Sequence, residues 1–262
     1  MRYLISSTLA LAVLSAAVVG HQPKVGRAAE REPAAKGRIR VLLTTGGHDF
    51  EKEPFYAMFD AMPNVAYTKA EFPKAAELLK PGLEKDYDVI VMYDMVGAIS
   101  PEQQKALVEL LNGGIGLVSL HHNLGAHADW DEFHKIIGGK FFVKPGEIDG
   151  EKHEKPSGWE HDQQLKVTVA DPKHPITRGL KDFEIKDEVY NQYYTSPKVR
   201  VLLKTDHPKN DPELAWVTRY GNSRVFYLML GHDHLAYENP NYRELVARGI
   251  RWAAGRPRTR AE

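Results

Sequence analysis

Three pieces of one stretch decide the fold: DVIVMY (88–93), SPEQ (100–103) and GLVSLHH (116–122). The first and third are short, unbroken apolar runs, as expected of strands buried on both faces of a parallel sheet. Between them, Ser100 is placed to cap a helix, Pro101 to occupy its first turn and Gln103 to close a capping box. Asn112-Gly113-Gly114 stops that helix after about Leu111. A strand, a helix and a second strand within 35 residues form a crossover unit, which requires the two strands to run parallel.

The same rhythm extends outward. Residues 39–45 form another apolar run, broken by Gly46-Gly47, and 54–62 reads as a helix. Asp129 is expected to cap a helix with Glu132 at its third position, and Gly138-Gly139 to end it. Beyond this the pattern loosens. Residues 144–164 are polar and read as an insertion or lid, and 165–170 and 199–204 read as strands. Segments 214–219 and 224–230 flank the hairpin signal Tyr220-Gly221-Asn222, and Asn239-Pro240 opens a last helix reaching about Ala254. The expectation is a single α/β domain over 38–256 with a mostly parallel sheet and helices on both faces.

The N-terminus has one charge, Arg2, before an apolar run over 3–19 that contains the small residues Ser15, Ala16 and Ala17 and is followed by Gly20. This reads as an export signal over 1–20, cleaved after Ala17 or Gly20, with no stable membrane span afterwards. A linker over 21–37 and a loose tail over 257–262 complete the chain. Export places the protein in the periplasm or outside the cell.

Lys+Arg and Asp+Glu both number 35, so no basic excess points to nucleic acid. The absence of cysteine excludes disulfides, a lipoprotein anchor and a thiol nucleophile. There is no phosphate-binding glycine loop and no GxGxxG after a strand, so no nucleotide cofactor is expected. The G-x-S-x-G elbow of serine hydrolases is also missing; Ser119 lies inside its strand.

Twelve histidines remain to be placed. His48, the pair His121 and His122, and His232 each follow a strand, and Asp94 follows the strand at 88–93 in the same way. In an open α/β sheet the carboxyl ends of parallel strands share one edge, where ligands bind. Residues far apart in sequence are therefore expected to meet there. Imidazoles gathered at such an edge can hold zinc or a similar divalent cation, or move protons. Adjacent side chains diverge, so only one of His121 and His122 is expected in the site. His127, His134, His153, His174 and His207 read as loop or surface residues, while His161 lies in the polar insertion. Among the aromatics, Trp159 and Tyr190 are candidates to face a sugar.

Taken in order, Gly46-Gly47-His48, GLVSLHH (116–122), WDEFHKIIGG (130–139), DPKHPITRG (171–179), Asp187-Glu188-Val189-Tyr190 and Gly231-His232-Asp233 resemble the ThuA-like, trehalose-utilisation family. The resemblance spans 39–254. It implies a flavodoxin-like sheet similar to that of class I glutamine amidotransferases, whose cysteine nucleophile this chain lacks. It also implies a role in using trehalose and related disaccharides through 3-keto sugars. A ketone at C3 acidifies the C2 proton; a base removes it, the C1 substituent leaves and water adds. His121 and His232 then stand as metal ligands or oxyanion stabilisers, and Glu188 or His48 as the base. A sugar-binding module without catalysis, or a metal-dependent hydrolase of other small substrates, would use the same fold.

Overall fold

The hydrophobic run Ile-Arg-Val-Leu-Leu-Thr-Thr-Gly forms β1 (Ile39–Gly46) in the computed structural model, which describes residues 37–255. The expected signal segment, nearly all of the linker and the tail at 257–262 lie outside the described residues. Among the described residues, no helix is long and apolar enough to cross a membrane.

The chain continues through α1 (Lys52–Asp60), β2 (Val65–Glu71), β3 (Val89–Asp94), α2 (Pro101–Gly113), β4 (Gly116–Leu120) and α3 (Asp131–Ile137). Short strands β5 (Gly139–Lys140), β6 (Gly146–Ile148) and β7 (Glu151–His153) follow. Then come β8 (Gly158–Val169), β9 (Phe183–Asn191), β10 (Tyr194–Thr195), β11 (Arg200–Lys204), β12 (Glu213–Tyr220) and β13 (Ser223–Leu228). Helices α4 (His234–Glu238) and α5 (Pro240–Ala253) close the domain.

Nine strands form one sheet in the order β2-β1-β3-β4-β13-β12-β11-β8-β9. The first five are mutually parallel, and in chain order they read 2-1-3-4-5, the flavodoxin-like doubly wound arrangement. The other four add an antiparallel wing. The crossovers through α1 and α2 step in opposite directions along the sheet. Right-handed connections therefore place these two helices on opposite faces.

Direction decides where the site forms. Each antiparallel pairing reverses the strand, so β9, four strands from β13, again points the same way. The carboxyl ends of β1, β3, β4, β13 and β9, together with the amino end of β8, lie at one edge.

Local chemistry fixes the elements much as expected. Ser100 caps α2 and forms the full capping box with Gln103. Helix α5 rests on β4 and β13 through glycine: a Cβ on Gly116 would come within 2.6 Å of the Ala253 backbone. Two readings are corrected. Trp130, not Asp129, precedes α3, with no side-chain cap. The polar insertion holds the short strands β6 and β7 and ends in the amino-terminal half of β8, whose residues 159–162 are exposed and so lack a periodic apolar signal.

Candidate functional site

Strand β4 ends at Leu120, and the chain turns through a tight 3-10 segment, His121–Gly125. His121 takes φ +50°, a left-handed conformation uncommon for a residue with a Cβ. Its imidazole is fully buried. Nδ1 lies 2.6 Å from the Met229 carbonyl, which can only accept, so Nδ1 carries the proton and Nε2 presents its lone pair. Three groups face that nitrogen: Glu188 Oε2 at 3.0 Å, the Tyr190 hydroxyl at 3.0 Å and His232 Nδ1 at 3.3 Å.

His232 comes from the loop after β13, and Asp187 holds that loop. The buried Asp187 carboxylate accepts from the backbone N–H of Gly231 at 2.7 Å, of His232 at 3.0 Å and of Glu188 at 2.9 Å. Burial nonetheless raises the Asp187 pKa. Gly231 has φ +121°, and an added Cβ would lie 2.3 Å from the Tyr242 hydroxyl. Beneath the loop, the Tyr237 hydroxyl donates to the His232 carbonyl at 2.8 Å.

Glu188 is the hub. Its Oε2 faces His121 and, at 3.4 Å, His232 Nδ1; its Oε1 lies 3.2 Å from His161 Nδ1. Burial alone would raise its pKa, but positive charge shared with the His121 and His232 imidazoles holds it well below the carboxylate range. Burial likewise opposes charge on His232, and the Glu188 carboxylate outweighs it, so its pKa is raised. Tyr190 is kept protonated by burial and by Glu188, and can donate to His121.

Two imidazole nitrogens and a carboxylate oxygen thus aim lone pairs at one point. They repel unless positive charge lies among them, as shared protons or as a cation. The spacing suits a cation. Donor atoms about 2.0–2.1 Å from a tetrahedral zinc stand roughly 3.3–3.4 Å apart. The three separations here are 3.0, 3.3 and 3.4 Å. Among the described residues, His121, Glu188 and His232 are also the donors whose ligand atoms all lie within 4.8 Å of one another. The donor set of two imidazoles and one carboxylate is one that zinc accepts, with a fourth position open.

Above this floor lies a pocket of about 650 Å³. His48 and His122 form one wall, their rings stacked at 4.6 Å. Burial, reinforced by His121 and His48, keeps His122 neutral. Trp159, 58% exposed, stands at the mouth beside His161, ring centroids 4.7 Å apart.

His48, Glu188, His232, Tyr190 and Trp159 all border the pocket, with His121 in its floor. Three readings are corrected. Asp94, expected to bind substrate, is fully buried; its carboxylate accepts from the Thr44 hydroxyl at 2.6 Å and is approached by Asn123 at 3.3 Å. His121 and His122 both reach the site, because the left-handed turn brings their rings to 5.4 Å rather than splaying them. His127, His134 and His174 are buried, not on the surface.

His161 gave only a weak signal in the sequence. A register shift between Glu160 and Gln163 and φ +61° at Asp162 mark a bulge in β8. A bulge re-aims a side chain, and here it turns His161 onto Glu188. The alternation of Trp159 and His161 is the only local hint of it. Asp187, equally important to the geometry, was visible only as part of an acidic pair.

A family profile described as trehalose utilisation (ThuA) matches residues 39–253. A ThuA-like protein from Parabacteroides merdae superposes with a TM-score of 0.71 at 21% identity, covering 86% of this chain and 93% of the other. A ThuA-like protein from Bacteroides uniformis gives 0.63 at 19%, covering 86% and 95%. A cytoplasmic protein from Salmonella typhimurium gives 0.57 at 16%, covering 82% and 99%. A search of curated protein sequences gave no significant match. These structural likenesses establish the fold; the profile match, over most of the sequence and across every element that builds the pocket, establishes that the chain belongs to the ThuA family.

Proposed function

We propose that this chain is an exported carbohydrate-processing enzyme that binds a divalent cation at His121, Glu188 and His232 and acts on 3-keto-glycosides by elimination and rehydration. The observation that carries the reading is the convergence of three lone-pair donors under a pocket with an exposed tryptophan at its mouth. Export rests on the apolar run at 3–19.

The cation would supply fixed positive charge for the C3 ketone oxygen as it becomes an enolate. The residues supply the rest. His48 Nδ1 lies 2.7 Å from the Asp49 carbonyl, so its proton is on Nδ1 and Nε2 is free to accept. His161 is oriented in the same sense by Glu188. Either imidazole takes the C2 proton. The C1–O bond then breaks, and the departing alcohol recovers a proton from the imidazolium, leaving a C1–C2 double bond conjugated to the ketone. Water adds at C1 as the imidazole accepts its proton, and C2 is reprotonated; the sum is hydrolysis. Glu188, one of two bases expected from sequence, suits the role less, because its depressed pKa makes it a weak proton acceptor.

Incubation with a 3-keto-glucoside in D₂O, followed by proton NMR, tests this. The expected result is loss of the C2–H signal with release of the alcohol, abolished in His232→Ala. An unchanged spectrum in the presence of zinc, with the sugar still bound, would turn the reading into a non-catalytic sugar-binding module.

A further inference from the structure

A second cavity, of about 850 Å³, opens at the opposite edge of the sheet, around the carboxyl end of β12 and the amino end of β11. Its lining includes Lys135, Lys198, Arg200 and Arg219, with Trp252 and the buried His174. Among the described residues, neither Lys198 nor Arg219 forms an ion pair, whereas Arg200 is held by Asp171.

The strand register sharpens the point. Arg219 lies directly opposite Arg224 in the β12–β13 ladder, and Arg200 lies opposite Val217. Cross-strand partners share a face, so Arg200, Arg219 and Arg224 stand on the same side of the sheet. Like charges directly opposed weaken a sheet. The Arg224 guanidinium is fixed in place, donating to the Trp252 carbonyl at 3.0 Å and lying 5.6 Å from the Trp252 ring. It cannot swing away without losing both contacts. Asp149 is the one carboxylate in the lining. It accepts from the Tyr194 hydroxyl at 3.0 Å, and it does not pair with any of these cations.

We propose that this cavity binds a small phosphorylated ligand, a phosphate monoester, with its phosphoryl oxygens between Arg219, Arg200 and Lys198. Guanidinium groups match such oxygens in a fork and keep their charge at every working pH. The concavity and the Trp252 ring favour a small molecule with a carbon body over a polymer. The site lies apart from the histidine pocket and does not depend on the reaction assigned there.

Calorimetric titration of the full chain with inorganic phosphate and with a hexose 6-phosphate tests the assignment. Saturable binding of the ester is expected, tighter than that of phosphate, weakened about tenfold or more in Arg219→Gln and in Lys198→Gln, and unchanged in His232→Ala. Thermal unfolding gives an independent readout. In phosphate-free buffer Arg219→Gln should melt at or above the wild-type temperature, because a like-charge pair is removed, yet gain nothing when the ester is added. No saturable binding of either probe would overturn the proposal. So would binding that Arg219→Gln and Lys198→Gln leave intact, or a response confined to long polyanions such as heparin.

Discussion

His121 shows how much one residue can set. A left-handed backbone, a donated bond to Met229 and a fully buried ring leave Nε2 a single orientation. Glu188 then faces a lone pair at 3.0 Å, a contact that needs a proton or a cation. Glu188→Gln keeps the shape and removes the charge. It should weaken zinc binding by more than the roughly 10- to 100-fold typical of losing an outer-shell partner and lower turnover of a keto-glycoside at least as much, as measured by metal titration and initial rates. Asp187→Asn should cost less for metal but leave one of the backbone N–H bonds it accepts unmade, lowering the melting temperature. The contribution of the sequence at this scale was uneven. His48, His121 and His232 could be placed because each follows a strand, and strand ends are what an α/β sheet gathers. The facing of Asp94 could not be read, because one step along a strand end turns a side chain from the crevice into the sheet.

At the level of elements, β9 and the bulge in β8 are the parts of the site that the sequence concealed, as it also concealed β2 at the edge of the sheet. Strand β9 reads Phe-Glu-Ile-Lys-Asp-Glu-Val-Tyr-Asn, and its four consecutive buried residues, Asp187 to Tyr190, include two acids. Polar side chains buried for function break the period-two pattern by which a half-buried strand is found. The resemblance pointed to this motif, whereas periodicity did not. The β13 loop offers a test. Gly231→Ala would place a Cβ against Tyr242 in a backbone region costly for alanine. Destabilisation of about 2 kcal/mol or more in urea unfolding is expected, with loss of metal affinity, because His232 moves with the loop. Wild-type stability in this variant would mean that the loop carries no such constraint.

For the molecule as a whole, four of the five parallel strands could be read from apolar runs, caps and glycine stops; β2 could not, because this edge strand is mostly half-exposed and its sequence Val-Ala-Tyr-Thr-Lys-Ala-Glu has no unbroken apolar run. The antiparallel wing was only half visible, because its strands pair at long range and carry exposed polar faces. Buried titratable groups make the domain sensitive to acid. Burial depresses His127 to about 4 and His134 to about 3. Below the unfolded histidine value of about 6.5, the unfolded chain takes up protons that these rings refuse. Their contribution is therefore complete above that pH and is lost as the pH falls toward 3 to 4. Asp94, pushed up to about 7 by burial, opposes this slope, since it favours the folded state when protonated. His122 and His174 are depressed by burial in the same sense, so the buried histidines outweigh Asp94 and Asp187, whose pKa values burial raises, and stability falls with acid through this range. Urea midpoints at pH 6.5 and 4.5 should fall accordingly, and Asp94→Asn should steepen the decline; a midpoint rising toward pH 4.5 would contradict the burial of these rings.

The account turns on whether His121, Glu188 and His232 hold a cation. Calorimetric titration of zinc into EDTA-treated protein, in two buffers of different ionisation enthalpy, measures this directly. The account predicts one ion per chain, with proton release as metal displaces the positive charge shared among the three donors, and loss of the site in His121→Ala and His232→Ala. Absence of stoichiometric binding, or binding that survives both substitutions, would contradict it.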